Sequence, residues 1–290
     1  SQIEAYLQGI AAANPDRVTT TDIGKSYEGR SIWMVTIKDG TDPTERSLLA
    51  EAEPSFFSGI HAREWISPAV ALYFIDMLIK HPEITNGVEF RIFPVLNPDG
   101  YVYSHTDERL WRKNRRINSN SNCRGVDLNR NWSYEWGGHG SSSYKCSNTY
   151  RGTSAFSEPE TIAVSNAMLN TPNVKLVLSI HNYSQLMLYP YGYDYVLPPL
   201  YLRYVAIRYT LAIEGFSGYL YVPEQITDLF RASGTTTDWA FGSLGAKYAY
   251  AVELRDTGDN AFILPSNQIK PTREENWEGF KYLIQIVKVA

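Results

Sequence analysis

Apolar positions along this chain switch between a helical period and short, nearly continuous runs, and the switches mark its elements. Residues 1–14 read as a short amphipathic helix ending before Pro15. Residues 17–39 read as two strands joined at Tyr27-Glu-Gly-Arg30, the first alternating and the second covering Ser31 to Lys38. A strand is predicted over 54–60, a helix over 68–80, and a strand over 88–95 that stops at Asn97-Pro-Asp-Gly100. From 101 to 157 the periodicity dissolves into Ser, Asn, Gly and Tyr; so long an irregular stretch inside a folded unit is usually functional. Beyond it the pattern predicts a helix over 157–169, a strand over 174–180, a tyrosine-rich loop over 189–195 and a helix over 200–214. A helix over 233–242, a strand over 247–253 and a last helix over 272–288 follow. No internal repeat is visible.

Apolar strands alternating with helices predict an α/β fold, a single three-layer domain spanning 1–290. Its twisted sheet is mixed and mostly parallel, with helices on both faces; the N-terminal hairpin supplies the antiparallel part. In such folds sites gather outside the carboxyl ends of strands. His61, His181 and Glu253 each stand at such an end.

Composition narrows the partners. The chain has 290 residues, 43% apolar and 20% charged, an ordinary globular balance. A net charge of −4 argues against a nucleic-acid partner, and no apolar run reaches membrane-spanning length. The basic run Arg112-Lys-Asn-Arg-Arg116 reads either as a solvated surface or as a set of anion-binding arginines. Cys123 and Cys146 lie in a polar region; they suit one disulfide in a secreted protein, or two free thiols in a cytosolic one. The chain opens without a charged-then-apolar leader, so a secreted protein would already have lost its signal segment.

His61-Ala-Arg-Glu64 carries the chemistry. An imidazole and a carboxylate three residues apart at a strand end can face one cation. His181 closes a second apolar run. Two His and one Glu make a three-ligand zinc site with a position open for water, as hydrolytic zinc enzymes require. Each histidine alone reads more simply as a hydrogen-bonded core residue. His81, at a helix end, reads as a C-terminal helix charge; His105 and His139 receive no role.

Six segments occur in order: His61-Ala-Arg-Glu64, Asn97-Pro-Asp-Gly100, Gly125-Val-Asp-Leu-Asn-Arg-Asn-Trp132, His181-Asn-Tyr-Ser-Gln185, Tyr189-Pro-Tyr-Gly192 and Glu253-Leu-Arg-Asp-Thr-Gly258. Together they resemble the zinc metallocarboxypeptidases of the pancreatic A/B type, across essentially the whole chain. The resemblance implies the mature catalytic domain of a secreted zymogen, without its pro-segment, acting in a digestive lumen or secretory granule. It implies a Cys123–Cys146 disulfide and one Zn2+ held by His61, Glu64 and His181, with Asp127 behind the first histidine. Asn129 and Arg130 match the residues that hold a substrate's terminal carboxylate, a task suited to a guanidinium's two parallel donors. Arg112 matches the oxyanion stabiliser and Glu253 the general base acting on water. Arg63 matches a residue of more distant subsites, and Tyr183 and Phe262 match substrate-binding positions. Read alone, Glu253 could instead be a salt bridge to Arg255 or Arg130. The implied partners are peptides and proteins with a free C-terminus, the pro-segment, and proteinaceous carboxypeptidase inhibitors. The chain is expected to be a monomer.

The sequence also departs from that family. Phe230 stands where a mobile tyrosine usually caps the substrate, and Asn182 replaces a more usual serine. Thr237 occupies the specificity position that is aliphatic in A-type and aspartate in B-type enzymes. Gln225 aligns with a second pocket position, and Gly192 is the A-type choice. Without a buried carboxylate a basic tail would be desolvated without a partner, which favours neutral C-terminal residues. Asp228 or Asp259 reaching the pocket would restore a Lys/Arg preference. A related zinc amidase would share the ligands and base but need not keep Asn129-Arg130, and a silent binding protein would be expected to lose a ligand or the base. Asn131-Trp-Ser133 and Asn182-Tyr-Ser184 match the N-glycosylation pattern, but their place in the site predicts that neither carries sugar. The family resemblance further implies cis peptides at Asn182–Tyr183, Pro190–Tyr191 and Arg255–Asp256.

Overall fold

A computed structural model describes residues 1–39 and 53–289. Eight strands form one mixed sheet. They are β1 (Val18–Lys25), β2 (Ser31–Ile37), β3 (Glu53–Ser58), β4 (Phe90–Phe93), β5 (Val174–Asn182), β6 (Leu186–Tyr189), β7 (Val222–Gln225) and β8 (Tyr248–Leu254), in the order β1-β2-β4-β3-β5-β8-β6-β7. The centre, β4-β3-β5-β8, is parallel, whereas β1-β2, β2-β4 and β6-β8 are antiparallel. The principal helices are α1 (Gln2–Ala13), α2 (Ile66–Lys80), α3 (Pro98–Thr106), α4 (Pro159–Leu169), α5 (Leu200–Ser217), α6 (Ile226–Leu229), α7 (Thr236–Gly242) and α8 (Ile269–Lys288).

The central strands are buried without alternation because helices cover both of their faces. Successive residues of β3 show it. Phe56 packs edge-on to Phe280 at 4.5 Å in a core that takes in α1, α2, α5 and α8. Phe57 points the other way, stacking on Phe93 at 5.1 Å in a second core with α4 and α7. The expected α/β architecture with helices on both faces is therefore present.

Four elements escaped the hydrophobic pattern. Helix α3 runs into the start of the stretch read as irregular. It has almost no apolar stripe and is fixed by its start: Pro98 opens the first turn, and Asn97 Oδ1 accepts from Gly100 N–H at 2.9 Å. Strands β6 and β7 and helix α6 are four residues each, too short to register as runs. Strand β7 carries Pro223, tolerated because it is the sheet's edge. Asn97 also reaches across the fold, its Nδ2 donating to the carbonyls of Ile60 and Lys113. Gly100 has no room for a side chain, since an added Cβ would sit 2.5 Å from the Lys113 carbonyl oxygen. Asn97-Pro-Asp-Gly100 is thus a clamp that ties the His61 loop to the segment bearing Arg112.

Candidate active site

The carboxyl ends of β3, β5 and β8 meet at one cleft, as the sequence predicts. His61 and Glu64 follow β3 in a tight loop, and both are buried. His181 lies on β5 directly in register with Glu253 on β8. The donor atoms converge: His61 Nδ1 lies 2.8 Å from Glu64 Oε1, and His181 Nδ1 lies 3.1 Å from Glu64 Oε2 and 3.2 Å from His61 Nδ1. These are the only three residues among those described whose His, Cys or acidic atoms gather tightly enough to share an ion. Two imidazole nitrogens and a carboxylate turned on one point fit a borderline divalent cation.

The far sides of both rings are anchored. Asp127 Oδ1 lies 3.3 Å from His61 Nε2, and Ser179 Oγ lies 2.8 Å from His181 Nε2. Each contact leaves Nδ1 free for metal. Ser179 escaped the sequence reading, although an i, i+2 pair on a strand necessarily shares a face. Asp127 Oδ2 also accepts from Nε and Nη2 of Arg112, at 3.1 and 2.9 Å. The same Asp127 therefore contacts both His61 and Arg112. Its burial would raise its pKa, yet the Arg112 and His61 charges hold it well below the usual carboxylate range.

Glu253 behaves oppositely. Burial, reinforced by the negative Glu64 and opposed by His181 and Arg112, pushes its pKa up to about 8. A divalent cation on the ligands would draw that value down. Glu64 is held low despite burial, because both histidines face it. Two carboxylates in one cleft are thus driven apart in proton affinity, the pattern of a ligand beside a base.

The rest of the cleft, about 230 Å3, is lined by Arg112, Asn129, Arg130, Tyr183, Phe230 and Thr237, among others. Asn129 Oδ1 accepts from both N–H and O–H of Thr236, which turns its amide nitrogen away from them. Arg130 Nε and Nη1 are fixed by the Gly140 and Asn129 carbonyls, at 2.9 and 2.7 Å. Nη2 has no hydrogen-bond partner among the described residues, and burial pushes the guanidinium down to about 10. At the rim, Arg63 lies over the Phe262 ring at 3.9 Å, and Phe262 meets Tyr183 edge-on at 5.0 Å. The three predicted cis peptides are all present.

Beyond Thr237 the pocket is walled by Leu188, Ile226, Ala232 and Ala251, a small apolar cluster. Gln225 is not part of that wall. Its amide donates to the Tyr191 and Val196 carbonyls, at 3.2 and 2.8 Å, so it braces the 191–196 loop instead. Here the alignment of a residue type misled, because the side chain turns toward unsatisfied carbonyls. Asp228 and Asp259 are exposed and line no part of the cleft. Buried Asp238, absent from the sequence reading, accepts from Gly192 and Tyr193 N–H and so fixes the other side of that loop. Gly192 sits too close to Ile226 for any side chain.

Asn131 and Asn182 are both buried, and their amides donate to the carbonyls of Arg151, Ser154 and Ala261. This leaves neither free to carry sugar.

A sequence model described as zinc carboxypeptidase matches residues 3–279. The chain belongs to the zinc carboxypeptidase family. It is 39% identical to carboxypeptidase B of Astacus astacus, over 99% of this chain and 95% of that protein. It is 39% identical to carboxypeptidase A2 of Mus musculus, over 99% and 69% respectively. A solved structure of bovine thrombin-activatable fibrinolysis inhibitor, in complex with tick carboxypeptidase inhibitor, matches with a TM-score of 0.92 and 33% identity, covering 99% of this chain and 96% of that one. The chain is accordingly a metallocarboxypeptidase of a family whose members bind one zinc ion. Cys123 and Cys146 form a disulfide, with Cα atoms 5.1 Å apart, and among the described residues no helix is long and apolar enough to cross a membrane.

Proposed function

We propose that this carboxypeptidase is one catalytic unit that removes single neutral residues, chiefly apolar ones, from the free C-terminus of peptides and proteins. The observation that carries this reading is a single cleft shared by the ligand set, an enclosed glutamate, and an Asn-Arg pair with donors to spare.

Arg130, with Asn129 beside it, receives the terminal carboxylate, and its immobilised plane keeps the ordering cost low. The side chain of the last residue enters the pocket between Leu188, Ile226, Ala232 and Ala251, with Thr237 offering one hydroxyl. His61, Glu64 and His181 would hold zinc, which supplies Lewis-acid polarisation of the carbonyl and of water. Glu253 takes a proton from the attacking water and delivers it to the departing amine. Arg112, held by Asp127 through Nε and Nη2, keeps Nη1 for the developing oxyanion. Phe230, nearly half exposed at the cleft mouth, covers the substrate by apolar contact alone. Pocket walls without a carboxylate support neutral over basic residues. The Asn129-Arg130 pair supports a peptidase over an amidase.

The disulfide supports action outside the cell, where such bonds persist, and production as a zymogen with a covering pro-segment is part of the same reading. The likeness to a protein crystallised with a tick inhibitor supports proteinaceous inhibitors as partners of a monomeric enzyme.

An N-blocked dipeptide ending in Phe tests the proposal. Release of free Phe should stop with a chelator, return with Zn2+, and be absent when the C-terminus is amidated. Equal cleavage of the amide, or activity that survives metal stripping, overturns it.

A further inference from the structure

One part of the basic run at 112–116 remains outside the catalytic machinery. Arg112, Asn114 and Arg116 turn to acidic partners: Asp127 for the first, buried Glu158 for the other two. Arg115 does not. It is 92% buried by its neighbours, having 8% of its surface exposed, yet its guanidinium makes no hydrogen bond and no ion pair among the described residues. Its faces are occupied, with Tyr103 at 3.5 Å and Trp111 at 4.6 Å. Stacking satisfies the faces of a guanidinium but none of its N–H edges, which seek in-plane acceptors.

Arg115 lines an open cavity of about 460 Å3 beside the Cys123–Cys146 disulfide. Lys113 lines it too, on the same Trp111 ring, buried and spending one donor on the Lys145 carbonyl at 2.8 Å. Burial without a close counter-charge pushes the Lys113 ammonium down to about 8. Exposed Arg124 and the amides of Asn122 and Asn148 complete the polar wall. Glu108 is the one acidic residue on it and forms no ion pair among the described residues. Three cationic side chains therefore meet around one space with a single unengaged acid.

The geometry points to a second site, separate from the catalytic cleft, at which Arg115, Lys113 and Arg124 bind a tetrahedral oxyanion, either free or as the sulfate group of a sulfated saccharide. Planar N–H pairs matched to two oxygens, with a lysine beside them, suit such an anion. The cavity is wider than one ion, leaving room for the sugar that would carry it.

Calorimetric titration of the zinc-loaded enzyme with sodium sulfate, and separately with a sulfated disaccharide, tests this at fixed ionic strength. The wild type should bind at least one of them, and Arg115→Gln and Arg124→Gln should each weaken that binding about fivefold or more. Hydrolysis of the blocked dipeptide should be unchanged in both variants. Sulfate binding alone assigns a free anion; binding of the disaccharide alone assigns a saccharide. If Arg115→Gln does not fold, the exposed Arg124→Gln decides. Absence of binding by both probes, or binding that neither substitution weakens, overturns the site.

Discussion

His181 and Glu253 face one another across adjacent parallel strands, at the same register position of β5 and β8. Partnered residues of parallel strands project to the same side, so the ladder itself holds the histidine and the glutamate together. If Glu253 is the base, Glu253→Gln should lower kcat by about 10^3. Zinc content, measured by atomic absorption, should stay near one per chain. Loss of metal together with activity would instead make Glu253 part of the ion's grip.

Arg112 lowers the pKa of Glu253, opposing the burial and the Glu64 charge that raise it. A base works when ionised, so activity is present above its pKa and lost as pH falls through it. Removing the cation raises that pKa. Arg112→Met should therefore reduce kcat/KM by roughly 10^2 to 10^3, and should also move the acid limb of the pH profile to higher pH. An unmoved limb would leave Arg112 without electrostatic influence on the base.

Thr237 lines the cleft beside an apolar wall, and its sequence neighbour Asp238 is committed to the Gly192 and Tyr193 amides. Thr237→Asp supplies a free acid where a basic side chain would end. The ratio of kcat/KM for peptides ending in Arg over those ending in Phe should rise on the order of a hundredfold. An unchanged ratio would place the specificity contact elsewhere.

Glu160 is fully buried beside Glu158, and both accept from Asn114 Nδ2. Burial first, then the Glu158 charge, push its pKa up to about 7 against the pull of the Tyr27 and Asn114 donors. A carboxyl raised in the folded state favours folding below its unfolded value, about 4.3. That advantage fades as pH rises toward 7. Glu160→Gln cannot ionise. Its melting temperature relative to wild type should climb from pH 5 to pH 8; a flat or falling difference contradicts the assignment.

Much of this was legible in the chain. The largely apolar runs of β3, β5 and β8 announce a sheet covered on both faces, and the residues ending them announce which polar groups meet at the cleft, because strand ends are where such folds place chemistry. Asp127, Asn129 and Arg130 were legible through a shared segment rather than through periodicity. Helix α3 was hidden because a capping asparagine, not an apolar stripe, specifies it.

The sequence by itself determined which residue types cluster and on which strand ends. Only the tertiary structure decided where each side chain turns. Gln225 left the pocket because carbonyls of a distant loop needed donors, and Asp238 took the other side of that loop from a segment 45 residues away. Ser179 became the support of His181 only once the ring was packed against it. Hydrogen bonds between segments far apart in the chain depend on distances that no local pattern encodes. Hydrophobic period and strand order are local enough to be read from the chain, but the satisfaction of buried polar groups is settled only when the fold closes.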